Sequence, residues 1–471
     1  MPRLLVLGQS HLAVRLGELT RQLGIEARAV PLEPLTRRMA MAWQGRLGPE
    51  GTPEDPGFVA ALPLGAASAV LFCAGEDATN LALALEVRDA HPHLRLVISF
   101  FDLRLGRKIQ QELGNCAVLS AADVSAPRFA AAAVRDGVLQ TVTHEGRVFA
   151  FEAGPGGLSC QPLGAPRQDR ARAAPGVAVP RLPRRLDRTL LGILVLTAAV
   201  LGAATVYFHA TQRLPWMSAL YFVVTTFCTV GYGDFSLREA SDLDKLAGII
   251  LMLSSVTLTA GLFAILTNAL VGLRLDAQEG RRRHRLRDHV LVCGLGSLGL
   301  RVAECLQGLG AKVLVLERDR GNPLLEDLAA RRIPHMVADA ARVGALRTAG
   351  ITRARALVST LNDDLEGLEI GLAARAAQPG LHVVLRIFDG GFADRVERHF
   401  HIHTALSASS LAAPFFLARG LHPAAHTLLG SAGGWQVVLE RDPEAAPWPG
   451  ERLLVAGERP LVLVPLAALA D

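Results

Sequence analysis

Apolar positions fall into two regimes along the chain. Near the amino terminus they come in short bursts: Leu4 to Leu7 run into Gly8, and Leu12 to Leu23 follow with helical spacing. This predicts a strand, a turn and a helix. Ser68 to Cys73 and Leu94 to Phe101 read as further buried strands, separated by a helix-like stretch from Ala78 to Ala90. Strands that alternate with helices predict a parallel sheet covered on both faces. The carboxy-terminal part repeats the rhythm. His289 to Cys293 reads as a strand, the residues up to Leu309 as a helix, and Lys312 to Leu316 as a strand ending in Glu317. Trp435 to Leu439 and Leu461 to Pro465 add strand-like runs in a short tail.

The middle of the chain follows a different pattern. Thr189 to Phe208 is 20 residues without a charge, and Leu246 to Leu273 is 28. At ~1.5 Å per residue the first matches a hydrocarbon core of ~30 Å, while the second must tilt, bend or project out of it. Between them Leu214 to Phe227 is apolar, with Pro215 placed for the first turn of a short helix. Thr229-Val230-Gly231-Tyr232-Gly233-Asp234 comes next. Its glycines can take the positive φ that a row of carbonyls turned one way requires. Four such rows around an axis can replace the hydration shell of a potassium ion.

With a pore helix before it and an acid after it, this stretch resembles the selectivity filter of potassium channels. The resemblance implies that the carbonyls of Thr229, Val230, Gly231 and Tyr232 and the Thr229 hydroxyl hold potassium ions. It places Asp234 beyond Gly233 at the outer mouth, and makes the pore a homotetramer in a lipid bilayer. The plainer reading, a tight extracellular turn between two anchoring helices, leaves the flanking pore helix and acid without a role. Cys228 stands where threonine is common, and the loop from Phe235 to Asp244 is longer than in the simplest two-helix channels. Gly261 is a candidate gating hinge. Thr257 and Thr259 are either cavity hydroxyls or helix-interior threonines bonded to their own backbone.

Length and composition add scale. At ~100 to 200 residues per domain, 471 residues hold about three domains, and 50% hydrophobic content leaves ample core. The six cysteines lack metal spacing and suit a reducing cytosol. The net charge of +5 is best read by location. Arg181, Arg184, Arg185 and Arg188 precede the first span; Arg274, Arg281, Arg282, Arg283, Arg285 and Arg287 follow the second. The positive-inside rule then puts both flanks and both termini in the cytoplasm of a multi-pass cell-membrane protein. Headgroup electrostatics account for these arginines, so no nucleic-acid partner is expected. Leu4 to Leu7 is too short for a signal peptide.

After the strand His289 to Cys293 comes Gly294-Leu295-Gly296-Ser297-Leu298-Gly299. A glycine fingerprint between strand and helix lets the backbone approach a pyrophosphate at a helix amino terminus, and Glu317, followed by Arg318, is spaced to accept from a ribose hydroxyl. An empty Rossmann-like cleft is the alternative. The order Asp339-Ala340, Leu346 with Ala349-Gly350-Ile351, then Ser359 to Asp364 resembles the TrkA-type nucleotide-binding domain, also called RCK. That resemblance implies that Asp339 and Ala340 lie near adenine, that Thr360, Asn362 and Asp363 line the cleft, and that Arg386 approaches a phosphate. Glu317 favours NAD(H), ADP or ATP over NADP. Glu366-Gly367 stands where the family often has an asparagine after its Asp-Asp pair, so the contacts of the helix there are expected to differ.

In the first domain the corresponding turn, Gly8 to Ala13, keeps only its first glycine, and Ala27 to Val30 runs into Pro31 where the ribose acid should stand. This lobe is expected to have lost its nucleotide. Residues Pro31 to Pro63, with Trp43, look like an insertion without recognisable chemistry. At an offset of 287, Asp77 matches Asp364, Arg88 Arg375, Pro92 Pro379, Phe101-Asp102 Phe388-Asp389, Ser120 Ser407, Pro127 Pro414 and Phe129 Phe416. Such a repeat predicts one fold used twice.

The expected organisation is a two-helix plus pore-loop potassium-channel domain flanked by two α/β Rossmann-like RCK domains. The boundaries are 1–153 for the first RCK domain, 154–188 for a linker and 189–273 for the pore. Within the pore lie spans 189–208 and 246–273, pore helix 214–227 and filter 229–234. A basic linker covers 274–287, the second RCK domain 288–420 and a small β extension 421–471. His399, His401 and His403 alternate, which would align them on one strand face; without a nearby acid pattern they are read as surface histidines, and no metal is assigned. The function expected is a potassium channel gated by a nucleotide, not an enzyme. A membrane-tethered NAD-dependent oxidoreductase would need a substrate domain for which no sequence is left, and a regulatory subunit of a potassium-uptake system would not need an intact filter.

Overall fold

The computed structural model describes residues 3–48, 52, 55, 57–154, 157–163, 184–278, 286–388, 390–400, 402–431 and 434–469. Two compact units emerge: residues 1–170 with 283–471 form one, and residues 171–282 the other. The expected linker lies largely outside the described residues, as do His401, Asp389, Arg181, Arg281, Arg282, Arg283 and Arg285.

The first half of the larger unit begins with β1 (Leu4–Leu7), α1 (His11–Gln22), β2 (Ala27–Val30), α2 (Arg37–Ala42) and α3 (Phe58–Ala61). It continues through β3 (Ala69–Phe72), α4 (Asp77–Ala90), β4 (Arg95–Ser99), α5 (Leu103–Leu113), β5 (Cys116–Leu119) and α6 (Ala121–Val134). The strands form a parallel sheet in the order β2-β1-β3-β4-β5. Residues Leu4–Leu7 and Ala69–Phe72 are buried throughout, which is why they read as unbroken apolar runs. An antiparallel meander of β6 (Val138–His144), β7 (Arg147–Gly154) and β8 (Gly157–Pro162) follows. Strand β8 therefore occupies ground expected to be linker.

The smaller unit consists of α7 (Arg184–Gln212), α8 (Trp216–Phe227) and α9 (Asp242–Gln278). Both long helices extend past the expected spans, and apolar stretches of 22 and 24 residues, Leu191–Gln212 and Asp242–Ile265, are long enough to cross a membrane. Phe208, Val223 and Leu251 form a small core where α8 packs between them. Leu191, Leu194, Val195, Leu196, Ile249, Leu253 and Phe263 are exposed instead. Surface of that kind calls for lipid or another subunit.

The second half runs β9 (His289–Cys293), α10 (Ser297–Gly308), β10 (Lys312–Glu317), α11 (Leu324–Ala330), β11 (His335–Val337), α12 (Val343–Thr348) and β12 (Ala354–Ser359). Helices α13 (Asp364–Ala377), α14 (Gly390–Phe400) and α15 (Ala408–Leu421) alternate with β13 (His382–Arg386) and β14 (Thr404–Leu406). The sheet order, β11-β10-β9-β12-β13-β14, is that of the first half plus one edge strand. The repeat is visible residue by residue: α4 and α13, β4 and β13, α5 and α14, α6 and α15, and β6 and β15 (Ala425–Ser431) share bounds at the offset of 287. Asp77 accepts from the Phe101 amide as Asp364 does from the Phe388 amide. At the missing edge the inserted segment makes a single bridge among the described residues, Leu47 to Ala29. It is well packed, with Trp43 fully buried against Gly17 and its indole N–H donating to the Ala13 carbonyl at 2.9 Å.

One boundary is corrected. Helix α15 lies in the core of the first half, where Ala412, Ala413, Phe416 and Leu417 join Leu4, Val6, Leu16 and Leu71. Helix α6 lies in the core of the second, where Ala126, Phe129 and Ala130 join Val290, Val292 and Val302. The halves exchange their last helices, so a cut at residue 420 divides a core. The tail adds β16 (Gly434–Glu440), β17 (Arg452–Val455) and β18 (Leu461–Pro465), ordered β15-β16-β18-β17. Its Leu429, Val438 and Leu463 pack on Val142 and Phe151 of the first half's meander.

The histidine expectation is also corrected. His399 sits in the last turn of α14 and His403 precedes β14, so they share no strand face. His403 lies against His382, with ring centroids 4.7 Å apart and planes tilted by 36°, and accepts from the Val383 amide.

Candidate functional site

Helix α8 ends at Phe227, and the loop beyond it turns back on the last turn of the helix. The Val230 and Gly231 amides donate to the Thr225 carbonyl at 2.9 and 3.3 Å, and the Thr229 amide donates to the Thr226 carbonyl at 3.1 Å. From there φ is positive at every second residue: 57° at Thr229, 49° at Gly231 and 79° at Gly233. Glycine takes this conformation freely, whereas a threonine there costs ~1–2 kcal/mol. Val230 is 51% exposed and Tyr232 73% exposed, so the loop has no wall on that side within one chain. Asp234 accepts from the Phe235 amide. Helix α9 runs unbroken through Gly261, where an added Cβ would stand 3.7 Å from Ile193, in ordinary contact. Of the two open readings of Thr257, the backbone bond is the one observed, to the Leu253 carbonyl at 2.9 Å.

The second candidate site opens at the carboxyl ends of β9 and β10. Gly294, at φ 94°, makes the turn, and Gly296 is the N-cap of α10, which begins at Ser297. Three glycines here face three different surroundings. A Cβ on Gly299 would collide with the Gly294 carbonyl oxygen, and one on Gly294 would stand 2.8 Å from Leu361. A Cβ on Gly296 would meet open space. The protein's own packing therefore demands glycine at 294 and 299 but not at 296. Leu298 is buried.

Leu316 and Glu317, with Gly294, Arg318, Ala338, Asp339, Ala340, Leu361, Glu366 and Ile370, line the cleft. The Glu317 carboxylate accepts from the Leu295 amide at 2.6 Å and from the Asp319 amide at 2.7 Å, so it holds the glycine turn as well as facing the cleft. Asp339 accepts from the Ala341 amide and pairs with Arg342. Arg318 and Glu366 form an ion pair at 2.7 Å. Glu366, in sequence a departure from the family pattern, is part of the lining. Ala338 and Ile370 carried no signal beyond apolar spacing.

Other expected residues stand behind the cleft. Thr360 is buried and donates to the Gly294 carbonyl at 2.9 Å, bracing the turn. Asp363 caps α13 through the Leu365 and Glu366 amides. Asn362 accepts from Arg386. The Arg386 guanidinium lies 4.5 Å over the Phe388 ring, and burial lowers its pKa, against which Asp364 pulls it up. Phe388 is also where the first half touches this edge: His11 stacks on it at 4.6 Å and Arg15 donates to its carbonyl at 2.9 Å.

The equivalent turn in the first half lacks these features. Gly8 donates to the Val30 carbonyl as Gly294 does to that of Leu316, which puts Pro31 in the place of Glu317. Gln9 instead reaches Glu33 at 2.6 Å, and Ala13 is fully buried where Gly299 would be.

Comparison with known proteins agrees with this division. Residues 194–272 match the ion channel family model and residues 290–408 the TrkA-N domain model. Potassium channel protein 1 of Methanocaldococcus jannaschii is 28% identical over 209 residues, 42% of this chain and 61% of that protein. The putative potassium channel protein YugO of Bacillus subtilis is 26% identical over 219 residues, 44% of this chain and 65% of that protein. The chain thus spans under two thirds of the length of these relatives. Among solved structures, the GsuK RCK domain superposes with a TM-score of 0.51 at 15% identity, covering 98% of this chain and 88% of that one. The chain joins a segment that matches the ion channel model and holds two apolar helices to one that matches the TrkA-N model, and it is similar to proteins named as potassium channels.

Proposed function

We propose that the chain is one quarter of a potassium-selective channel, opened or closed by an adenine nucleotide or NAD(H) in the glycine-lined cleft of its second half. The observation that carries the pore is the alternation of φ sign from Thr229 to Gly233. Successive residues of opposite hand turn their carbonyls to the same side, and four such rows make a ring of oxygens for a dehydrated potassium ion. The exposed faces of Val230 and Tyr232 are the surfaces that neighbouring subunits would cover. The observation that favours a ligand is Gly296, a glycine the protein does not need for itself, at the amino terminus of a helix whose free amides suit a phosphate. Glu317, already aimed at the turn, would accept from an unphosphorylated ribose.

Both termini are placed in the cytoplasm on the strength of the arginines that flank the spans. The nucleotide must bind one conformation of the soluble unit better than the other, since equal affinity shifts nothing. Phe388, held between Arg386 and His11, offers a route by which the cleft edge reaches the first half. The test is potassium flux from liposomes carrying the full chain. Flux should be lost in Gly231→Ala, and flux that survives that change would sink the proposal.

A further inference from the structure

Three side chains that no part of this reading uses converge where the two halves' β extensions meet. His144 ends β6, His426 lies in β15 and Glu440 ends β16. One ligand-type atom from each lies within 4.8 Å of the other two. His144 presents Nδ1 to Glu440 at 3.9 Å, and His426 presents Nε2 to the other Glu440 oxygen at 3.9 Å. Both gaps are too long for hydrogen bonds. The His144 side chain is 3% exposed, and His426 Nε2, the atom turned toward Glu440, is buried without a hydrogen-bond partner. A buried ring nitrogen that faces a carboxylate without bonding to it is unusual in a native fold.

We infer that His144, His426 and Glu440 form a site for a zinc-class divalent ion, which joins the meander of the first half to the sheet of the second. Two ligands on a tetrahedral ion with bonds of ~2.0–2.2 Å stand ~3.3–3.6 Å apart, so the observed gaps close with small side-chain adjustments. Two imidazoles and one carboxylate suit zinc, cobalt or nickel rather than calcium or magnesium, which favour all-oxygen shells. Glu145, 3.8 Å from His144 Nε2 on the far side of the ring, is placed to orient that histidine from the outer shell. Three protein ligands leave a fourth position for water. The ion binds only the assembled halves, and so it stabilises their packing.

The experiment uses the full chain without a histidine tag, stripped with EDTA, equilibrated with zinc chloride and desalted. Metal content and the thermal unfolding midpoint are then read. The expected result is about one zinc per chain and a midpoint raised by several degrees, with no shift from calcium or magnesium. His426→Ala and Glu440→Gln should each retain at least tenfold less zinc, with circular dichroism unchanged. Glu440→Gln keeps the shape of the site should the alanine variant fold poorly. Retention well below one ion per chain, or retention unchanged in both variants, overturns the site.

Discussion

Gly296 and Gly299 lie three residues apart in one turn, and alanine at each should fail differently. At Gly299 the new Cβ runs into the Gly294 carbonyl oxygen and comes within 2.8 Å of Thr360 Oγ1, so strand β9 or helix α10 must move. Overpacking of this kind costs ~1–3 kcal/mol or more. At Gly296 the Cβ meets nothing, and the backbone, at φ −97° and ψ −170°, is extended and open to alanine. Stability there should hold within ~0.5 kcal/mol, or rise by ~0.4–1 kcal/mol through a less flexible unfolded chain. That Cβ does occupy the space a pyrophosphate would need, and losing the close approach should weaken binding at least ~10-fold, ~1.4 kcal/mol. The assay is thermal unfolding of the full chain in detergent, with and without NADH, ADP or ATP, together with calorimetric titration. Gly299→Ala should lower the midpoint without ligand, whereas Gly296→Ala should leave that midpoint alone and move the ligand-induced shift to at least ~10-fold higher nucleotide. If Gly296→Ala binds nucleotide within twofold of the parent, the turn is not a phosphate cradle and the reasoning fails.

Phe416→Ala should cost ~3–5 kcal/mol and loosen the first half rather than the second, because Phe416 is fully buried against β1 and β3; hydrogen exchange should quicken at Leu4–Leu7 before His289–Cys293. Glu366→Ala removes an ion pair whose arginine is 68% exposed, so stability should change by less than ~1 kcal/mol, while an anionic ligand should bind on the order of twofold tighter, ~0.4 kcal/mol. His11 and His403 both have pKa values lowered from 6.5, first by burial and then by neighbouring cations and, for His403, by His382. A depressed folded pKa means the unfolded chain takes up the proton first, so this contribution to stability is intact above pH 6.5 and is lost as pH falls toward the folded values. The midpoint should drop on acidification below that point, and less so in His11→Gln.

Much of this was legible in sequence because it rests on local chemistry. The proposed filter rests on glycines at alternate positions after a short helix that begins beyond Pro215, and the second half on a glycine turn between a buried strand and a helix. The repeat was legible because Asp77 and Asp364 each cap the same strand end. The helix exchange was not. The apolar faces of α6 and α15 announce burial, but periodicity does not say against which sheet, and only the fold puts Phe129 in one core with Val292 and Phe416 in one core with Leu71. The histidine pattern misled because a window of five residues cannot separate a helix end from a strand start, and His399 and His403 straddle that junction. His144, His426 and Glu440 went unseen for a plainer reason: nearly 300 residues and a membrane segment separate the first from the other two. Glu317 was found, but its bond to the Leu295 amide depends on a turn geometry that spacing does not reveal.

The central claim, that this chain conducts potassium under nucleotide control, is tested most directly by recording the full chain in a planar bilayer with potassium on one side and sodium on the other. The account predicts a reversal potential close to that of a potassium electrode. It also predicts an open probability that changes when NADH, ADP or ATP is added on the side of the soluble unit, with the response moved to at least ~10-fold higher nucleotide in Gly296→Ala. A reversal potential near zero, or a nucleotide response left whole in that variant, would contradict it.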